Sequence, residues 1–198
     1  MSQLIETVKL LDGKFYNLSY HERRMVRSLK YLFNKTGRIR LDELLHETPF
    51  PQKGLYKCRL LYNDVAKQIE YTSYEPRKVN RLRIVEDDLI TYPFKLVKRQ
   101  PINRLFAMRG ECDDVLIIRR GKVTDCSYAN IAFRKGSDWF TPASPLLEGT
   151  MRQQLLDKNK VTAREIRRED IRSFDTCKII NAMLEFDSPE IDVSDIVF

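Results

Sequence analysis

Few residues in this chain are of a type and spacing that could do chemistry. The two histidines, His21 and His46, and the four cysteines, Cys58, Cys112, Cys126 and Cys177, are scattered, with no CxxC pair and no cysteine beside a histidine. That spacing supplies neither a zinc site nor a disulfide framework, so no metal is expected and the thiols are read as buried and reduced. No nucleophile elbow, P-loop, GxGxxG or HExxH is present. Three features remain. Lys95 and Lys98 are amines in the basic stretch KLVKR, which by itself reads as a solvated loop. Asp125 is an acid at a strand end before a turn. Gly149-Thr150-Met151 lies where a helix should begin, and free backbone N–H groups with the helix dipole favour an anion there.

The elements that must position these residues follow from periodicity and turn residues. LIETVKLLDGKFYNL reads as two short strands around Asp12-Gly13. Ser19 to Glu22 has the form of a capping box opening a helix, with Met25, Leu29, Leu32 and Phe33 on its core face and Gly37 marking its end. A short helix is expected over 41–46. GLYKCRLLYNDVAKQIEYTSY is a hairpin turning at Asn63-Asp64, and 77–88 supplies another strand. A helix over 101–108 has Pro101 near its first turn and Gly110 beyond its end. DVLIIRRGKVTD and NIAFRKGSDWFTP each read as strand, turn, strand. TMRQQLLDKN is helical, VTAREIR and CKIINAM are strand-like, and REDIRSF is a short helix. The pattern is α+β and rich in hairpins, without the strand–helix alternation of a parallel nucleotide-binding sheet. It divides into a smaller α+β domain, 1–90, and a larger one, 91–198.

The chain has 198 residues, enough to bury a core, and its net charge is +7. Residues 1–100 carry 20 Lys+Arg against 12 Asp+Glu, whereas 101–198 carry 15 against 16. The basic residues alternate with acids and apolar residues, so this front half suits a small anionic substrate rather than nucleic acid. No apolar run is long enough for a membrane helix, and MSQLIETVKLLDG lacks a signal-peptide core, so a soluble, cytoplasmic protein is expected.

VTDCSYANIAF, then TP, then LLEGTMRQQLL follow in an order and spacing that resemble the class IV aminotransferase family, the fold-type IV pyridoxal-phosphate enzymes. Upstream, YHERRM is similar to the family's H-x-x-R-[LM], and FKLVKR to the K-x-x-N-R of its lyase branch. Downstream, IINAM is similar to C-N-A-[LM]. Together these motifs span residues 4–184. The implied architecture is the two-domain, D-amino acid aminotransferase-like fold. Its N-terminal domain would be truncated, since the D-R-[GA]-x-x-[YF]-G-[DE]-G segment that usually precedes F-E-T has no counterpart before LIETV.

By this resemblance Lys95 is the lysine that carries pyridoxal 5'-phosphate as a Schiff base, with Lys98 the competing amine. Asp125 stands where the family has Glu and would pair with the pyridine nitrogen, from a side chain one methylene shorter. Arg24 matches the phosphate-binding arginine, and Gly149, Thr150, Met151, Asn181 and Ala182 match further phosphate contacts. Asn130 matches the asparagine after the acid and would either brace the strand or touch cofactor. Arg59 and Arg99 are candidates for the carboxylate groups of a substrate.

The lyase-type motifs imply a lyase converting 4-amino-4-deoxychorismate to p-aminobenzoate and pyruvate, a step of folate biosynthesis. The alternatives are an amino-acid aminotransferase of branched-chain or D-amino acid type, and a catalytically inactive binding protein on the same fold. The expected partners are a small anionic amine as substrate and a second copy of the chain in a C2 homodimer.

Overall fold

The computed structural model describes residues 3–184 and 186–198. The chain forms two compact units, one of residues 1–76 with 94–98, the other of 77–93 with 99–198. A single boundary at residue 90 therefore does not describe it. Strand pairing draws 77–93 into the second unit, and backbone bonds to the first strand draw 94–98 into the first.

The first unit is built on an antiparallel sheet ordered β2-β1-β3-β4, from β1 (Leu4–Leu11), β2 (Lys14–Phe15), β3 (Leu55–Tyr62) and β4 (Lys67–Ser73). Two helices, α1 (Leu18–Phe33) and α2 (Leu41–His46), belong to the same unit. The β1–β2 turn falls at Asp12-Gly13, both at positive φ, as the sequence predicts. Side chains alternate along β1. Leu4, Val8 and Leu10 are fully buried; Leu4 and Val8 join Met25, Leu41, Leu45, Cys58 and Leu60 in the core. Leu29, Leu32 and Phe33 pack at its margin.

The capping box expected at Ser19–Glu22 is not formed. Asn17, in the left-handed region at φ 58°, is the N-cap, so Ser19 already lies inside the helix. Glu22 instead accepts a hydrogen bond from the Leu41 N–H at 2.6 Å, tying α1 to the start of α2. The helix ends at Asn34, also left-handed, three residues before Gly37. Residues 94–98 run antiparallel beside the start of β1: the Ile5 N–H donates to the Lys95 carbonyl and the Val97 N–H to the Gln3 carbonyl, both at 2.9 Å.

The second unit has two sheets. One is ordered β13-β5-β6-β7, from β5 (Leu82–Glu86), β6 (Asp114–Arg119), β7 (Lys122–Cys126) and β13 (Ile196–Val197). The other is ordered β10-β9-β8-β11-β12, from β8 (Asn130–Lys135), β9 (Asp138–Pro142), β10 (Thr162–Arg164), β11 (Thr176–Ile180) and β12 (Ile191–Asp192). Helices α3 (Gln100–Ala107) and α4 (Thr150–Asp157) and two 3-10 turns, Arg168–Ser173 and Val193–Asp195, complete it. Of the strand expected over 77–88, only 82–86 forms. Parallel pairing, which the hairpin-rich pattern did not suggest, joins β5 to β6 and β13 and joins β9 to β10.

Apolar residues of both sheets meet in one cluster that includes Leu82, Leu116, Ile118, Ile131, Phe133 and Cys177. All four cysteines are buried and free, as their scatter suggested. Phe133 is fully buried with its ring 5.1 Å from that of Phe174. Phe133→Ala should lower the unfolding free energy by about 3–5 kcal/mol, read from the midpoint of urea denaturation.

Candidate active site

The chemical residues of the first unit are distributed over the two faces of β1. On the helix-covered face Glu6 takes a core position and is fully buried. Arg24 grips its carboxylate through Nε to Oε1 at 2.9 Å and Nη2 to Oε2 at 2.5 Å, and His21 Nδ1 lies 2.6 Å from Oε2. Burial pushes the Glu6 carboxyl up, but the Arg24 charge and the bonds from His21 and Arg24 outweigh it and hold the group at about 2. Burial pulls His21 down, against the attraction of Glu6 and with help from the Arg24 and Lys95 charges. His21 is thus a neutral ring donating its Nδ1–H to the carboxylate.

On the opposite face, Thr7 presents its hydroxyl to Lys95, whose Nζ donates to Oγ1 at 3.1 Å. Lys95 is half-buried, whereas Lys98 is exposed. Strand register puts Arg59 directly across from Thr7 and Lys57 across from Lys9. Because alternate residues share a face, Thr7, Lys9, Lys57 and Arg59 form one cationic strip. Lys9 is only 7% exposed, with Nζ 5.0 Å from the Tyr16 ring centre. Arg59, the candidate for a substrate carboxylate, lies on the same face as Thr7 and is paired with Glu70 at 2.9 Å.

In the second unit Asp125, at the end of β7, is 5% exposed. Its Oδ1 accepts from Asn130 Nδ2 at 2.6 Å and its Oδ2 from the Leu147 N–H at 2.9 Å. Asn130 Nδ2 also donates to the Leu147 carbonyl at 2.8 Å, so Asn130 braces both the acid and the loop leading into α4. Burial raises the Asp125 carboxyl from 3.8 to about 6, against those bonds and the Arg152 charge. Arg152 is itself buried, its Nη2 donating to the Pro142 carbonyl at 2.8 Å.

Gly149 is the N-cap of α4, and Thr150 and Met151 begin the helix, both buried. A Cβ at Gly149 would lie 2.0 Å from Asn130 Oδ1, so no side chain fits. Asn181 Oδ1 accepts from the N–H groups of Met183 and Leu184 at 2.8 and 3.2 Å, closing a turn that contains Ala182. Arg99 bridges Asn103 Oδ1 at 3.1 Å and the Ser127 carbonyl at 2.9 Å. Among the described residues no group of three or more His, Cys, Asp or Glu is placed to hold a metal, and no helix is long and apolar enough to cross a membrane.

Glu6, Thr7, His21 and Lys9 went unremarked as site residues in the sequence. A usable signal was present: in LIETVKLL, Glu6 falls on the same alternation as Leu4, Val8 and Leu10, a charge in a core register. His21 and Arg24 are three apart and so share a helix face with Met25.

The class IV amino-transferase family model matches residues 3–186. The chain belongs to this family. A Haemophilus influenzae protein of uncharacterised function is 43% identical over 92% of this chain and 98% of its own length. The crystal structure of a Haemophilus somnus protein, named as a candidate 4-amino-4-deoxychorismate lyase, is 36% identical over 92% of this chain and 97% of that one, with a TM-score of 0.87. A Brucella abortus aminotransferase solved with pyridoxal phosphate shares the fold, at 16% identity over 96% of this chain and 83% of that one and a TM-score of 0.72.

The buried acid supplies a pH signature. Asp125 binds its proton more tightly folded than unfolded, so in the window from about 4 to about 6 the folded state holds more protons. Its contribution to stability is therefore lost as pH rises through that window, by an amount of order 2–3 kcal/mol in the apo-protein. Asp125→Asn should remove that component, so that the difference between the two stability–pH curves slopes between pH 4 and 6 and is flat above 7. Parallel curves across the window would show that Asp125 does not titrate there.

Proposed function

We propose that this protein is a pyridoxal-phosphate-dependent lyase that converts 4-amino-4-deoxychorismate to p-aminobenzoate and pyruvate. The observation that carries the reading is the setting of Lys95: its Nζ rests on the Thr7 hydroxyl, on the face that also carries Lys9, Lys57 and Arg59. A small amine bearing two carboxylates is the kind of substrate such a face receives. The family, and the name given to the Haemophilus somnus relative, support the same choice.

The residues present fit the cofactor in their chemistry. Lys95 offers an amine. Asp125 is a buried carboxylate whose ionisation is disfavoured until a cation arrives, and a pyridinium N–H is such a cation. Gly149, Thr150 and Met151 stand at the start of α4, where the helix dipole favours an anion. Arg24, Gly149, Thr150, Met151, Asn181 and Ala182 would hold the phosphate, with Asn130 bracing Asp125. Pyridoxal phosphate supplies an aldehyde for the substrate amine and a ring that accepts an electron pair.

The protein's own work is proton handling and orientation. Lys95 Nζ removes the proton from the ring carbon bearing the amine, and Thr7 fixes the direction from which it does so. The adjacent C–O bond then breaks, its electrons leave with enolpyruvate, and a proton returned to that fragment's methylene carbon gives pyruvate. The ring that remains is aromatic and keeps its nitrogen. Lys9 holds one substrate carboxylate, and Arg59 takes the other by exchanging its Glu70 partner. Arg99, anchored to Asn103 and Ser127, serves the start of α3. We further infer a cytoplasmic C2 homodimer, which light scattering would register as twice the chain mass.

Incubation with aminodeoxychorismate should release p-aminobenzoate and pyruvate in equal amounts with no keto acid added. A strict requirement for a keto acid, with alternating half-reactions, would make the protein an aminotransferase instead. Absence of any absorbance band near about 410–430 nm after adding pyridoxal phosphate would make it a binding protein without this cofactor. Lys95→Met should lower turnover by about a thousandfold and abolish the borohydride-stable cofactor adduct. Lys98→Met should keep both, and the reverse result would move the anchor to Lys98.

A further inference from the structure

Glu6 and His21 are fully buried and Arg24 nearly so, an ionic cluster in a core that includes Leu4, Val8, Met25 and Leu60. Such clusters seldom stabilise a fold relative to well-packed apolar side chains, because desolvation offsets the attraction. Packing alone therefore gives no reason for a carboxylate at position 6. Its bonds do. Glu6 engages one edge of the Arg24 fork, Nε and Nη2, through both of its oxygens. This sets the plane of the guanidinium. His21 acts one step further back, its Nδ1–H bond to Oε2 fixing the carboxylate that fixes the arginine.

We propose that Glu6 and His21 are positioning residues that hold the Arg24 guanidinium ready for the phosphate group of the cofactor. This rests on the reading above, in which Arg24 contacts that phosphate. A guanidinium whose plane is already set meets the incoming anion without reorganising, and its donors act in a site from which water is largely excluded. A further observation agrees. Arg24 is only 6% exposed, so free rotation of its head in solvent is not available to it.

The test compares two probes that differ only in the phosphate, pyridoxal phosphate and pyridoxal, each titrated into apo-protein by absorbance. Wild type should bind the phosphorylated probe more tightly. Glu6→Gln should weaken pyridoxal phosphate about tenfold or more while changing pyridoxal by less than about twofold. His21→Gln should shift the ratio the same way, by about threefold, since Glu6 keeps its grip on Arg24. Where Glu6→Gln does not fold, Glu6→Asp and His21→Gln carry the measurement. An unchanged ratio of the two affinities in folded variants would overturn the positioning role, as would equal loss of both probes, the mark of a purely structural cluster. Wild type binding both probes equally would overturn it too, leaving Lys95 chemistry standing. Wild type capturing neither would instead remove the cofactor reading beneath it.

Discussion

The first unit depends on the alternation of β1. Leu4, Glu6, Val8 and Leu10 must share one face and Ile5, Thr7 and Lys9 the other, because each residue along an extended strand turns over. The pairing with β3 then assigns every partner: Leu60 stands opposite Glu6, and Arg59 opposite Thr7. A slip of one residue would send the carboxylate out of the core and expose three apolar side chains, so the register is strongly specified. The same constraint sorts the chemistry. The group that grips Arg24 must lie under α1, and the group that meets Lys95 must lie on the reverse of the sheet.

The second unit solves a different problem, that of burying an acid. The Asn130 amide, the backbone N–H groups of Leu146 and Leu147 and the Arg152 charge all favour the ionised form of Asp125, and together they do not fully offset desolvation. The same Asn130 also takes the Leu147 carbonyl, so the end of β7, the start of β8 and the loop before α4 form one hydrogen-bonded knot. Gly149 sits against that knot too closely for any side chain. Asn130 thus touches the acid, the loop and the start of the helix, and the Asp125–Leu147 bond joins the first two directly.

Much of this was legible in the sequence, and the unequal result has a physical cause. Hairpins with Asp-Gly, Asn-Asp and Gly turns declared themselves, because turn chemistry and period-two patterning are local. The second-unit motifs that resemble the family lie in one stretch, so the resemblance nominates Asp125, Asn130 and Gly149 together, and the structure brings the three into one hydrogen-bonded neighbourhood. The cluster of Glu6 with His21 and Arg24 joins residues 15 to 18 apart, and Lys95 reaches Thr7 from 88 residues away. Only the fold makes those neighbours. The failed capping box has the same origin: Glu22 found a tertiary donor at Leu41, and Asn17 took over the start of α1. The parallel pairing of β5 with β6 likewise needed the chain between them to be placed first.

The stitching of residues 94–98 to the start of β1 carries a thermodynamic consequence. Two backbone bonds make the segment bearing Lys95 an edge of the first sheet. Opening that edge and releasing the amine are then one event, and hydrogen exchange at Ile5 and Val97 would report on both. A molecule bound at Lys95 would, by mass action, hold the edge closed and make the sheet harder to open. Ligand occupancy and the local stability of β1 are in this sense a single equilibrium, read from either end.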